Sequence, residues 1–191
     1  MKIMKQLTVK KVNRQTENLP EILRLYRAAF PLIERVNFDT YLDDPVGNLD
    51  ILSFWDDQLF CGFAAFLTYD DLTQILYFAI EEDLRGQGYG SAALAAMRAY
   101  YGTGRIMADL EDPLCAPNDE TRDERNHRVG FYQRAGYRLT DVRFEWEGEN
   151  YVMMISGGNE TQATLSMEEY ESFWQRAEQD RGTGYEKMDK E

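Results

Sequence analysis

A run of closely spaced glycines near the middle of the 191-residue chain is the segment whose composition most directly suggests a binding site. It reads Arg85-Gly-Gln-Gly-Tyr-Gly-Ser91 and joins a strand-like segment to an alanine-rich helical one. Glycine has no side chain, so an anion can approach the backbone closely, and the first N–H groups of a helix have no acceptor within that helix. A strand, a glycine loop and a helix N-terminus in this order therefore predict an anion site.

Two other interpretations of this loop account for fewer residues. A turn that binds nothing gives no reason for glycines at every second position. A dinucleotide-binding loop, G-x-G-x-x-G, would follow its strand directly and have an acid about 20 residues later, where Asp109 stands. However, Ser91 occupies its third glycine position, and Glu81–Leu84 separate the glycines from the strand.

The segments around the loop predict an α/β fold. Alternating hydrophobic residues predict strands at 51–55, 59–69 and 74–80, and the Asp-rich links between them suit hairpin turns, so these strands should form an antiparallel meander. The remaining predicted strands lie at 5–10, 105–110, 137–146 and 150–155.

Helical spacing predicts four helices before the tail. They lie between Asn18 and Pro31 and at 38–42, 91–101 and 126–135. Asn18 and Glu21 read as a capping box for the first helix, and Gly136 is placed to end the last one. The segment that follows the strand at 105–110 should be a polar, acidic loop up to about Arg125.

Composition and charge exclude several classes of protein. The 34 acidic and 21 basic residues give a net charge of -13, which disfavours a nucleic-acid binder and docking on anionic membranes. A hydrophobic content of 43% predicts a packed core. We find no secretory signal and no apolar run near the ~20 residues of a membrane span, so we expect a cytoplasmic protein.

The residues that most often hold metals or disulfides are scarce. Two cysteines, Cys61 and Cys115, and one histidine, His127, form neither a disulfide framework nor a metal-ligand spacing. We therefore expect no metal cofactor.

Two motifs give the chain a resemblance to a known family. Read as R-x-x-G-x-G, Arg85, Gly88 and Gly90 resemble the coenzyme-A pyrophosphate loop of the GNAT superfamily of acyl-CoA N-acyltransferases. The segment 126–137 is similar to the second signature of that family, N-x-x-A-x-x-Y-x-x-x-G-F, with Val129 and Tyr137 as mild departures. The order of elements is also similar, which implies a mixed, mostly antiparallel twisted sheet flanked by helices, with a C-terminal helical extension.

The resemblance implies a site for acetyl-CoA as co-substrate. The strand before the loop would splay from its neighbour and pair with the pantetheine arm through the backbone of Phe78, Ala79 and Ile80. The residues that would hold the pyrophosphate are Arg85, Gly86, Gln87, Gly88, Tyr89, Gly90 and Ser91. Asn126 matches a family residue near the pantetheine or adenosine end, although asparagine is also a leading helix N-cap.

Tyr132 matches the usual general acid of the family. When an amine attacks a thioester, the leaving thiolate has a pKa near ~8.5, and a positioned phenol can protonate it or hydrogen-bond to it. The alternative role for Tyr132 is a core aromatic residue beside Phe131.

The attacking amine must be neutral, and removing a proton from an amine of pKa ~10.4 at pH 7 costs roughly 4–5 kcal/mol. A carboxylate would take that proton, directly or through water. The candidates are Glu111 and Asp112, which follow the strand ending at Leu110, and Glu34, which follows the first helix. We prefer Glu111 because the end of that strand lies near the thioester in the family fold, but each could instead be a solvated loop acid.

Two segments hold most of the negative charge. Residues 109–125 contain seven acids and two bases, and residues 160–191 contain nine acids and four bases. The first segment is either a solvated loop or an acceptor wall that attracts a cationic amine through its long-range field.

The tail carries a helix signature of its own. Ser166 and Glu169 form a capping box, and an apolar stripe at helical spacing follows. Its members are Tyr170, Phe173, Trp174 and Ala177. This helix either packs on its own domain or forms a homodimer contact.

These patterns predict an acyltransferase domain at residues 1–158 and an acidic helical extension at 159–191. The expected reaction moves an acetyl group from acetyl-CoA to the primary amine of a small molecule or peptide. Direct attack in a ternary complex is expected, because no cysteine occupies either motif. The alternative is a non-catalytic acyl-CoA-binding or regulatory module on the same fold.

Overall fold

The hydrophobic alternation in the first half of the chain produces the predicted meander. The computed structural model describes residues 5–158 and 164–181. The strands are β1 (Thr8–Lys11), β2 (Leu49–Asp56), β3 (Leu59–Tyr69), β4 (Leu72–Ile80), β5 (Arg105–Glu111), β6 (Arg138–Trp146) and β7 (Glu149–Gly157). They form one sheet in the order β1-β2-β3-β4-β5-β7-β6, and of its neighbouring pairs only β4 and β5 run parallel. The predicted mixed, mostly antiparallel sheet is thus confirmed.

Tight turns connect the meander strands, as predicted. Asp57 and Asp70 follow the ends of β2 and β3 with φ values of 54° and 52°. Aspartate tolerates this left-handed region better than most residues, and two-residue hairpins need it. Glu147 and Gly148 make the equivalent turn between β6 and β7, with φ values of 52° and 80°.

Helices cover both faces of the sheet. They are α1 (Leu19–Ala29), α2 (Asp39–Leu42), α3 (Tyr89–Tyr101), α4 (Asp119–Arg134) and α5 (Met167–Arg181), with short 3-10 turns at Leu32–Glu34, Glu82–Leu84 and Pro113–Cys115. One core joins α1, α2 and α5 to the sheet through residues such as Ile22, Tyr41 and Phe173. The other joins α3 and α4 to the opposite face, for example through Leu94 and Val129. None of the helices among the described residues is long and apolar enough to cross a membrane.

Helix α4 begins earlier than the sequence analysis predicts. The Asn118 side chain accepts a hydrogen bond from the Thr121 amide at 2.8 Å, so the N-cap is Asn118. Asp119 and Glu120 then occupy the first turn, where negative charge is favourable. The prediction of a loop up to about Arg125 is therefore wrong, and Asn126 lies inside the helix.

The other helix boundaries follow the predictions more closely. Gly136 follows α4 with a φ of 88°, as expected of a C-terminal glycine. Helix α3 starts at Tyr89, two residues before the predicted start. The capping box predicted at Asn18 does not form, because Asn18 precedes α1 without a side-chain cap hydrogen bond.

The tail helix α5 packs on its own chain. The predicted capping box is present: the Glu169 amide donates to Ser166 Oγ at 3.2 Å, and the Ser166 amide donates to Glu169 Oε2 at 2.9 Å. Phe173 and Ala177 are buried in the same core as β3 and β7. Residues 159–163 and 182–191 of the predicted extension lie outside the described residues. The division at residue 158 and the homodimer contact stay predictions.

We expect α5 to unfold together with the rest of the chain. Phe173 is 2% exposed, and its ring meets that of Tyr69 edge-on at 5.3 Å. Phe173→Ala should therefore lower the free energy of unfolding by about 3–5 kcal/mol, as large-to-small substitutions in a core do. The measurement is urea unfolding followed by both fluorescence and circular dichroism. Glu168→Ala, on the exposed side of α5, is the control, and a Phe173→Ala variant with an unchanged midpoint would show that α5 is a separate appendage.

Candidate active site

The two parallel strands at the centre of the sheet stay together for only part of their length. The paired residues are Leu72 with Arg105, Thr73 with Ile106 and Gln74 with Met107. Beyond these pairs the described residues of β4 and β5 make no further ladder contacts, so the strands separate. The separation opens the sheet between Ile75–Ile80 and Ala108–Glu111.

A bulge on β4 lies at the point of separation. The register between β3 and β4 shifts between Ala65 and Phe66, which leaves Leu76 as an extra residue on β4. A bulge bends its strand and increases the local twist, so it directs the end of β4 away from β5. Gln74 lies at this fork: its Nε2 donates to Asp109 Oδ1 at 2.6 Å and to the Ile75 carbonyl at 2.9 Å.

The separation leaves one edge of β4 without a strand beside it. Phe78, Ala79 and Ile80 pair with β3 on their other side. Gly62 permits a close approach there, since a Cβ on Gly62 would lie 2.2 Å from the Ala79 carbonyl oxygen. The backbone of the three predicted residues is therefore fixed on one side and open to an extended partner on the other.

The glycine loop follows this edge. Gly86 and Gly88 have φ values of 72° and 90°, and the space where their Cβ atoms would stand is open. Gly88 is the N-cap of α3, so the amides that follow it lack acceptors within the helix. Arg85 lines the adjacent cleft, and its Nε donates to the Ile80 carbonyl at 3.1 Å. The loop thus has the backbone form of the predicted anion site.

Two side chains in the loop region serve to hold it. The Tyr89 hydroxyl donates to Asp56 Oδ2 at 2.9 Å and accepts from Lys5 Nζ at 3.0 Å. Tyr89 is buried, so only its backbone is available to a ligand. The Gln87 side chain donates to the Asp83 carbonyl, and Ser91 is exposed in the first turn of α3.

Beside the open edge lies a cleft of about 1190 Å³. Tyr132 reaches it from α4 on one face of the sheet, while Asp109 and Glu111 reach it from alternate positions of β5. Tyr132 is 7% exposed, and its hydroxyl has no hydrogen-bond partner among the described residues. Burial raises the pKa of Tyr132, with Tyr137 and Asp109 adding to the rise, so the phenol keeps its proton at neutral pH.

The carboxylates predicted as bases lie in three different environments. Asp112 is buried and accepts hydrogen bonds from the Leu114 amide and from Arg143 Nε, both at 2.9 Å, so it acts in the structure as a capping residue. Glu111 lines the cleft and forms an ion pair with Arg128. Glu34 also lines the cleft, and burial raises its pKa, with Glu111 adding to the rise.

Asp109 is a cleft acid that the sequence analysis did not select as a base. Asp109 is exposed to solvent where it lines the cleft. Desolvation by the neighbouring protein raises the pKa of Asp109 to about 6, against the hydrogen bond from Gln74, which lowers it. The alternation of a strand could have indicated it, because Asp109 and Glu111 are two residues apart on β5 and share one face.

The structure does not bring every predicted residue to the cleft. Asn126 is exposed on α4 and does not line it. Cys61 is buried and Cys115 is exposed, and neither lines it. No cluster of potential metal ligands occurs within the part of the chain that the structure describes.

Comparisons with known proteins agree with this geometry. Residues 49–139 match the family model described as an acetyltransferase (GNAT) domain, and no curated protein matches the chain. A GNAT-family protein from Bacteroides thetaiotaomicron superposes with a TM-score of 0.70 at 22% identity, over 90% of this chain and 96% of that one.

Two further solved structures of acetyltransferases are similar to the chain in fold. A GNAT-family acetyltransferase from Elizabethkingia anophelis with acetyl-CoA bound gives a TM-score of 0.53 at 15% identity, over 80% of this chain and 98% of that one. The aminoglycoside 6'-N-acetyltransferase from Enterococcus faecium gives 0.58 at 15% identity, over 78% and 96%. At these identities the likeness concerns the fold, whereas the family model matches the segment that holds the meander, the separated strands and the glycine loop. Residues 49–139 thus match the GNAT family of acetyltransferases, and the chain has the fold of solved members of that family.

Proposed function

We propose that the protein transfers an acetyl group from acetyl-CoA to a primary amine of a small molecule or peptide. The observation that carries this proposal is the open edge of β4, which leads into the glycine loop on one side and into the cleft with Tyr132 on the other. A thioester held along that edge would present its carbonyl carbon to the cleft. The same edge could bind an acyl-CoA in a protein without activity, but such a protein would not need a buried, unpaired phenol at that point.

Each part of acetyl-CoA has a place in this proposal. The backbone of Phe78, Ala79 and Ile80 would pair with the amides of the pantetheine arm. The amides from Gly86 to Ser91 and the Arg85 guanidinium would hold the pyrophosphate, since Gly86 and Gly88 leave the backbone uncovered. Asn126 would contact the cofactor only at its outer end, because it is exposed on α4 away from the cleft.

Catalysis would then proceed by direct attack in a ternary complex. The amine nitrogen forms a bond to the thioester carbon, the carbon–sulfur bond breaks, and the thiolate takes a proton from Tyr132. Neither cysteine lines the cleft, which supports direct attack over an acyl-enzyme.

We propose that Asp109 takes the proton of the amine, directly or through water. Glu111, the base preferred from sequence, stays a candidate, but its ion pair with Arg128 already occupies it. Asp109 has a pKa near the working pH, which is the condition for an efficient general base.

Thiol release from acetyl-CoA with a panel of primary amines tests the proposed function. We expect turnover with at least one amine, and Tyr132→Phe should lower kcat by ~10- to 100-fold with little change in CoA affinity, because only the proton donor is removed. Tyr137→Phe is the matched control: its ring packs 5.1 Å from Tyr132, but it does not line the cleft.

Two results would contradict this assignment. If CoA raises the melting temperature but no amine releases thiol, the chain is an acyl-CoA-binding module. If Tyr132→Phe keeps the native kcat, the phenol is not the proton donor.

The role of Asp109 predicts a pH dependence. A base must be unprotonated, so kcat/KM should fall as the pH is lowered through about 6, where Asp109 takes up a proton. Asp109→Asn should lower kcat/KM at pH 8 by ~100-fold and abolish this acidic limb. Asp141→Asn, on the exposed side of β6, controls for loss of charge. An acidic limb near pH 6 that persists in Asp109→Asn would assign the proton to another group.

The glycine loop permits a matched test of cofactor binding. Gly88 and Gly136 have φ values of 90° and 88°, and both have open space at the Cβ position. Alanine at either site should destabilise the fold by about 1–2 kcal/mol, since both need the left-handed region. Only Gly88→Ala should weaken CoA binding, by about tenfold or more, because its methyl group would separate the pyrophosphate from backbone donors. Calorimetry with CoA measures this, and equal affinities for the two variants would place the pyrophosphate elsewhere.

A further inference from the structure

One face of α5 forms a wall of the cleft, although α5 lies outside the segment that matches the family model. The residues on this face are Tyr170, Glu171, Trp174, Gln175 and Glu178. Their spacing follows a single side of a helix. The adjacent side carries Phe173 and Ala177 into the core, and Tyr170 and Trp174 pack against its border. The sequence of α5 therefore divides into a buried side and a side that faces the cleft.

Contacts near both ends of α5 hold this wall in place. Near its start, Glu169 Oε1 forms an ion pair with Arg105 Nη1 at 2.8 Å. Near its end, Asp180 Oδ2 accepts a hydrogen bond from the Tyr69 hydroxyl at 3.0 Å. Neither Glu169 nor Asp180 lines the cleft. The acids that do line it are thus separate from the acids that anchor the helix.

The cleft carries an excess of negative charge. Within the described residues its carboxylates are Glu34, Asp109, Glu111, Glu145, Glu171 and Glu178, and its cationic side chains are Arg35, Arg85 and Arg128. Arg85 lies at the end next to the glycine loop, and Arg128 is paired with Glu111. The α5 wall contributes two carboxylates and no base. An anionic acceptor would therefore be repelled from this wall, and a cationic one attracted.

Aromatic rings line the same part of the cleft. Phe144 stacks on Tyr151 at 5.4 Å and on Tyr170 at 5.2 Å, so β6, β7 and α5 share one aromatic surface. Tyr170 in turn lies 6.3 Å from Trp174. Rings of this kind bind alkyl chains and attract cations to their faces.

The inner end of the cleft has hydrogen-bond acceptors that no described residue satisfies. Gln74 is 1% exposed and lines the cleft, and its Oε1 has no hydrogen-bond partner among the described residues. The Tyr132 hydroxyl likewise has none. Asp109 lies beside both, since it accepts from Gln74 and its charge adds to the rise in the pKa of Tyr132. A ligand rich in N–H donors would satisfy this end, as an ammonium group does.

From these features we infer that the acceptor is an aliphatic diamine or polyamine whose further ammonium group or groups bind the α5 wall at Glu171 and Glu178. The reacting amine would enter beside Asp109, and the alkyl chain would lie along the aromatic surface. The wall is long enough for this, since Tyr170 and Glu178 are separated by ~12 Å along the helix axis. That the bound polyamine is acetylated rests on the proposed function. That the polyamine binds in the cleft does not.

The experiment compares spermidine with n-butylamine as acceptors, using native protein and the variants Glu171→Gln, Glu178→Gln and their double. We expect native kcat/KM to be at least ~5-fold higher for spermidine, and the ratio to fall towards one in the double variant, because each lost charge contact changes affinity by a few-fold. Glu168→Gln removes the same charge from α5 outside the cleft and should keep the native ratio. Calorimetry of spermidine with each protein measures binding without turnover.

The outcomes separate the two proposals. Equal kcat/KM for the two amines, or an equal loss of spermidine binding in Glu168→Gln and the double variant, would overturn the inference. Spermidine binding that weakens only in the cleft variants would support the α5 wall even if no thiol is released. In that case the proposed transfer reaction would fail and the polyamine site would stand.

Discussion

The site depends on the short pairing of β4 with β5. A continuous parallel ladder would fill the hydrogen-bonding groups of both strands and leave no backbone for a ligand. Here the ladder stops after Gln74, and the bulge at Leu76 turns the end of β4 away. The unpaired edge is costly to leave exposed in most sheets, because it invites pairing with another chain. A bound pantetheine arm would satisfy it in the way that a strand does.

The separation also decides which side chains can meet. Tyr132 belongs to the core under α3 and α4, whereas Asp109 and Glu111 project from β5 on the side of α1 and α5. In a closed sheet these groups would lie on opposite faces, with the backbone between them. The gap between the strands lets Tyr132 and Asp109, the proposed proton donor and acceptor, reach one cleft from the two sides. A thioester lying in the gap would have the leaving sulfur and the attacking amine on different sides of its carbonyl carbon, as direct attack requires.

Local patterns were enough to predict the elements that support the site, but not the residues that approach it from distant parts of the chain. Alternation and turn residues predicted the meander, and the glycine spacing predicted the loop, because both depend on neighbours in sequence. The acids after Asn118 have the composition of a solvated loop, so sequence alone does not predict the start of α4 there. The sequence also does not single out Asp109, because its environment is made by Gln74, 35 residues away. Helix α5 lines the cleft because it packs against β6 and β7. The spacing of residues within 164–181 does not predict this packing.

The acidic composition of the chain has more than one physical role. Of the acid-rich segment at 109–125, Asp109 and Glu111 line the cleft, while Asp112 is a buried cap and Asp119 and Glu120 stabilise the start of α4. The cleft receives the rest of its charge from Glu34, Glu145 and α5, which are far apart in sequence. Desolvation raises the pKa of Glu34 and of Asp109 in the cleft. Glu145, Glu171 and Glu178 are exposed at its rim, where their charge acts on an approaching ligand through solvent. These acids therefore divide into helix caps, partly desolvated cleft groups and an exposed rim, and a cationic acceptor, as proposed above, would meet the last two.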